Sequence, residues 1–306
     1  MEPRTIYASF VIACLALTPA WAAQSITECG QTIRGRASLG ADLDCTGAPD
    51  PAIHAYDARI ELNGHTLAAM VLCERDLPLG RKQGGCAVVG PGEIRGCVAS
   101  LQGVQVDGVT MTDPAGLCAA GTPFSPASAV YGTIVRIADS TITGYPHGCV
   151  QSPFHWRGGG NVSISGSTIG DCSTADPGGG PAAAGLGKVK IRNSSLQGGV
   201  IAGRKARSGS SVITGPEDAY PGIWMHEAEG PSTLVVTDSV VTGIDGNGIE
   251  GDDVRLDGST VSGNCLAGAG GCVDILASGR VSSSNTTCDK SYCSSLADAC
   301  GVCSGD

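Results

Sequence analysis

Apolar and polar residues alternate along this chain in short runs that copy one another. The unit V-x-I-x-x-S-x-[IV]-x-G occurs at 135–144 (VRIADSTITG), 162–170 (VSISGSTIG), 189–198 (VKIRNSSLQG), 235–243 (VVTDSVVTG) and 254–263 (VRLDGSTVSG), and a weaker copy at 104–113 (VQVDGVTMTD) precedes them. Each copy reads as a short strand with period-two alternation, a polar corner and a second short strand. Ile137 and Ile142, or Leu256 and Val261, then point inward while Arg136 and Arg255 point out. The unit's serine falls at 140, 167, 194, 239 and 259, and the long step after 194 has room for a degenerate copy at 211–215 (SVITG).

One such rung cannot bury its apolar side alone, so the repeat implies a stack. Serine, threonine and asparagine at equivalent corners would form hydrogen-bond ladders along it. The spacing fits an all-β parallel β-helix with variable loops, and the Leu and Asn consensus of a leucine-rich repeat is absent. A β-sandwich is the alternative, but its strands need not copy one another. An open solenoid end exposes strand edges, so caps are expected at about 23–57 and about 285–306.

The leader changes the compartment. Arg4, an apolar run from Ile6 to Leu17 and then Ala20-Trp21-Ala22 have the form of a signal peptide over 1–22, cleaved near Ala22. The remaining fourteen cysteines are an even number in an exported chain and read as disulfides. Cys300-Gly301-Val302-Cys303 stands without a second CxxC or a histidine pair at zinc spacing. No other stretch has the ~20 apolar residues of a membrane span. A net charge of −10 argues against nucleic acid and anionic membranes as partners. An anionic polymer would need a cation or a local basic patch to bind.

The opening CG-x-T-I and L-x-x-D-L-x-C (29–45), the first rung I-x-L-N-G-H-T-L (60–67), the repeated S-T-[IV]-x-G and the ending G-V-C-x-x-D (301–306) resemble the exported bacterial β-helix proteins of the pectin-lyase-like superfamily. The resemblance covers essentially the whole mature chain and implies a single-stranded right-handed parallel β-helix and a set of functions: polysaccharide lyases, uronate epimerases, polygalacturonase-type hydrolases and non-catalytic surface proteins; of the disulfides, only a Cys29–Cys45 pairing is expected. The hydrolase pattern is not matched. Gly251-Asp252-Asp253 is present, but the His147-Gly148 pair lies upstream of it, and Asn-Thr-Asp and Arg-Ile-Lys do not occur.

The candidate chemistry follows from these alternatives. Lyases and epimerases need a base and a cation beside a carboxylate. Arg204 and Lys205 form the basic cluster in the middle of the stack, and His147 and His226 lie in loops. Tyr145, His155, Trp156, Arg157, Tyr220 and Trp224 follow consecutive repeats and are candidates for a sugar-stacking surface. Glu217, Asp218, Asp245, Asp252 and Asp253 are candidate calcium ligands, although 245–253 matches neither an EF-hand loop nor the nonapeptide calcium repeat. Asp257 is expected to share the corner position of Asp139, Gly166 and Asp238. The leading expectation is a monomeric exported protein that binds extracellular polysaccharide or cell-surface glycan, as a lyase or epimerase. The rival is a structural or adhesive cell-envelope protein.

Overall fold

The computed structural model describes residues 23–74, 85–118, 128–145, 148–152, 160–172, 181–215, 221–225, 232–264, 273–289 and 291–293. All regular elements among them are strands. They stack in parallel, each on the equivalent strand of the next turn. Every turn visits three faces in the same order. One such turn runs from Val98–Ser100 on the third face, through Gly103–Asp107 on the long face and Thr110–Thr112 on the short face, back to the third face at Val130–Tyr131. The protein is therefore a parallel β-helix.

Among the described residues the short face is a sheet of eleven strands, and the other two faces join into one sheet of twenty-two. The junction lies in the first turns, where the strands Thr32–Leu39 and Ala52–Glu61 pass through the corner without a break. Gly35 (φ 70°) and Asp57 (φ 47°) bend them there, and the register shifts between Arg34 and Arg36. At the start, Gln24–Ile26 pairs along Thr32–Leu39 and covers part of the open edge, with Cys29 bonded to Cys45 beside it.

Alternation explains the core. On the long face Val135 and Ile137 stack on Val162 and Ile164, which stack on Val189 and Ile191, all at most 2% exposed. Each such side chain contributes roughly 1.5–3 kcal/mol by leaving water. The copy at 235–243 is displaced by one residue: Leu234 and Val236 face inward, and Val235 stands outside with Arg207 and Arg255 as neighbours. The degenerate copy at 211–215 is a complete short-face strand, Val212–Thr214, in register with its neighbours.

The corner between long and short faces is chemically the most regular part of the molecule. Asp139, Gly166, Asn193, Ser210, Asp238 and Gly258 all hold φ between 47° and 58°, the left-handed region open to glycine, aspartate and asparagine. The serine that follows is buried. Ser167 Oγ donates to the Ser165 carbonyl (2.7 Å) and accepts from the Ser140 amide (3.2 Å), and Ser194, Ser211, Ser239 and Ser259 repeat both bonds. The predicted ladder thus runs from side chain to backbone. Gly258, not Asp257, occupies the left-handed position; Asp257 ends the preceding strand and accepts from Ser284 Oγ at 2.5 Å.

Disulfides staple more than the first turn. Cys73–Cys86, Cys97–Cys118 and Cys149–Cys172 each tie two buried or nearly buried half-cystines beside a long connection between rungs. No helix among the described residues is long and apolar enough to cross a membrane.

Candidate functional site

On the long face the residue between the two inward positions projects outward, and stacking turns these residues into a file. Reading up the stack, the file is Arg36, Arg59, Ala87, Gln105, Arg136, Ser163, Lys190, Arg207, Val235, Arg255 and Ser282. Six of these eleven positions are cationic, so the file is a line of positive charge in a chain of net charge −10.

Ala87 and Gln105 interrupt the arginines and leave a groove of about 800 Å³. Gly85, Ala87, Gly103 and Gln105 lie along it, Arg36 and Arg59 stand toward one end, Arg136 toward the other, and Leu101 and Ile134 flank it. Rungs about 4.8 Å apart place Arg59 and Arg136, three steps apart, at roughly 14 Å. Gly85 must lack a side chain: a Cβ there would meet the Gly103 carbonyl oxygen at 2.4 Å. Asp57 Oδ1 accepts from the Gly85 amide (3.2 Å), and Thr133 Oγ1 donates to the Leu101 carbonyl (2.8 Å), tying down both margins. Arg36 and Arg59 share Glu61, at 3.5 and 3.3 Å, whereas Arg136 makes no ion pair with a described residue. Leu101 is 61% and Ile134 43% exposed, the two most exposed large hydrophobic residues described. Cations at both ends and aliphatic surface between them can hold a chain that presents polar groups at its edge and C–H faces toward the protein.

Lys205 begins the long-face strand Lys205–Gly209, directly opposite Lys188, and Arg204 precedes it, exposed. Tyr145 is corrected: instead of facing a sugar it is fully buried, and its hydroxyl donates to the Gly96 carbonyl at 2.5 Å. Burial raises the pKa of this phenol well above its ordinary value. Trp224 lies within a third-face strand, between Ile201 and Glu250, half-buried. Asp245 lies in the corner after the short face, and Asp252 in the next corner of the same turn. Asp252 is occupied by the Ser232 amide (2.9 Å) and the Ser232 and Ser278 hydroxyls, hydrogen bonds that lower its pKa, led by that of Ser278. Asp253 accepts from the Arg280 amide at 3.3 Å. No group of three potential metal ligands occurs among the described residues. His147, His155, Trp156, Arg157, Glu217, Asp218, Tyr220 and His226 lie outside the described residues.

A second cluster was not among the candidates drawn from the sequence. On the third face His54 Nδ1 meets Glu74 at 2.8 Å and its Nε2 meets Asp50 at 3.0 Å. Tyr56 donates its hydroxyl to the other oxygen of Glu74, and the Arg34 guanidinium lies 4.8 Å above the Tyr56 ring. Desolvation is the largest single influence on His54 and acts downward, but the bonds and charges of Glu74 and Asp50 together leave its pKa raised. Glu74 is lowered, first by the Tyr56 hydroxyl and then by His54. The only sequence signal was alternation in Ala52–Glu61 with His54 and Tyr56 on its outward side.

No family model matches the chain, and neither a curated protein nor a solved structure matches it.

Proposed function

We propose that this is an exported β-helix protein that binds extracellular polysaccharide along its outer long face. The observation that carries the reading is the groove between Arg59 and Arg136, with cations at its two ends and exposed aliphatic side chains at its flanks. The capping and repeat motifs that resemble the pectin-lyase-like superfamily support the same reading, as does the disulfide content, which suits an oxidising compartment. Binding by the rungs themselves favours a non-catalytic, adhesive role over catalysis. The lyase or epimerase alternative rests on Arg204, Lys205 and the loop histidines.

A binding screen of the mature protein against neutral and uronate polymers, with and without calcium and with absorbance followed for unsaturated products, tests both. The expected result is binding without product, weakened about tenfold in Leu101→Ser/Ile134→Ser at unchanged melting temperature. Product formation lost in Lys205→Ala or His226→Ala would overturn the non-catalytic reading. No binding to any polymer would overturn the polysaccharide reading.

A further inference from the structure

Above the groove, beyond the Ser163 rung, two adjacent long-face strands carry an unusual charge pattern. Lys188–Arg192 and Lys205–Gly209 pair so that Lys188 stands opposite Lys205 and Lys190 opposite Arg207, with Arg192 beside Gly209 and Arg204 just before the second strand. Lys188, Arg192, Arg204 and Arg207 are exposed, and Lys190 and Lys205 half-buried. None of the six makes an ion pair with a described residue. The flanking strands, Asn161–Ser165 and Thr233–Thr237, carry no carboxylate, nor do these two.

Like charges directly opposite each other on neighbouring strands repel and destabilise a sheet. Here two such pairs stand side by side in a chain with 29 acidic residues and only 19 basic ones. The arrangement is a small grid, with roughly 4.8 Å between strands and about 6.6 Å between successive outward positions on a strand. Its repulsion is relieved when a ligand of opposite charge, repeated at short intervals, lies across it. Arginine is suited to fork onto a carboxylate or sulfate and lysine to act as a compact point charge.

We propose that these two rungs form an anion-binding site, separate from the groove, that takes the repeated carboxylates or sulfates of an acidic polysaccharide. The proposal rests on the polysaccharide reading and assigns the chemical class that reading leaves open. It also accounts for how an acidic protein holds an acidic polymer: the net charge repels at a distance, and the grid attracts at contact.

The test uses the mature protein with three probes, polygalacturonate, dextran sulfate and neutral dextran, titrated calorimetrically over a range of salt. The wild type is expected to bind one or both anionic probes more tightly than dextran, and carboxylate and sulfate are told apart by which is preferred. In Lys190→Gln/Arg207→Gln the anionic affinity should fall about tenfold at low salt and the salt dependence should shallow by about two released counterions, with dextran binding unchanged. The same variant in the absence of polymer should show a melting temperature at least equal to the wild type, because an opposed cationic pair has been removed. Equal affinity of wild type and variant for the anionic probes overturns the site while leaving the polysaccharide reading intact, provided Leu101→Ser/Ile134→Ser still weakens binding. Absence of binding to all three probes overturns both.

Discussion

A corner serine such as Ser194 serves two backbone groups at once: it donates to the carbonyl two residues back and accepts from the amide of the preceding rung's serine. Because Ser194 is 6% exposed, Ser194→Ala leaves the Ser167 amide without a partner in a place water does not reach, while the Arg192 carbonyl keeps the Gly166 amide. The expected cost is about 1–3 kcal/mol, read by urea denaturation. An equally local prediction concerns His54, whose folded pKa lies above its ordinary value of 6.5. Its stabilising contribution is complete below pH 6.5 and is lost as pH rises through the raised value. Glu74, lowered from 4.5, contributes above that value and loses its contribution as pH falls through the depressed one. The melting temperature should therefore hold between about pH 4.5 and 6.5 with respect to this pair and decline on the alkaline side, and His54→Gln should flatten the alkaline decline. An unchanged alkaline limb in that variant would remove His54 from the account. At this scale the recurring serines were legible because they repeat in one chemical setting. Asp257 was misplaced because aspartate suits both a strand end and a left-handed corner, and only the register, Asp257 beside Thr237 and Gly258 beside Asp238, separates them.

Long-face strands announced themselves by alternation, one side in the core and one in water. The third-face strands did not, because residues such as Ala183–Gly185 and Val200–Ala202 are buried on both sides and show no polar alternation. Their existence follows only from the need to close each turn. The connections between turns vary in length, and cysteines stand beside them: Cys149–Cys172 spans 23 residues of sequence. Closing a loop of that length restricts the unfolded chain, so Cys149→Ala/Cys172→Ala should lower stability by about 3 kcal/mol. Denaturation of the double variant and of the wild type under non-reducing conditions checks this, and a loss under about 0.5 kcal/mol would show that stacking alone holds the connection. Tyr145 illustrates the opposite error: an aromatic residue after a repeat looks like a loop group, yet its phenol fills the core and reaches back to the Gly96 carbonyl.

At the scale of the whole molecule, the outward cations at 36, 59, 136, 190, 207 and 255 have no common period in sequence. They become a file only when rungs separated by steps of different length are laid in register. The repeat therefore disclosed which residues project but not which projecting residues are neighbours, and the basic cluster around Lys205 was visible while its partners Lys188 and Lys190 were not. The same logic places the groove, since Ala87 and Gln105 are unremarkable residues until Arg59 and Arg136 stand on either side of them. The central claim is that the outer long face is the working surface. Hydroxyl-radical footprinting with a bound polysaccharide addresses it directly, because exposed aliphatic side chains report on two faces at once. Leu101 and Ile134 should be protected on binding, while Val212 and Val240 on the short face, 42% and 36% exposed, should react as in the free protein. Protection of Val212 and Val240 with Leu101 and Ile134 unchanged would contradict the account.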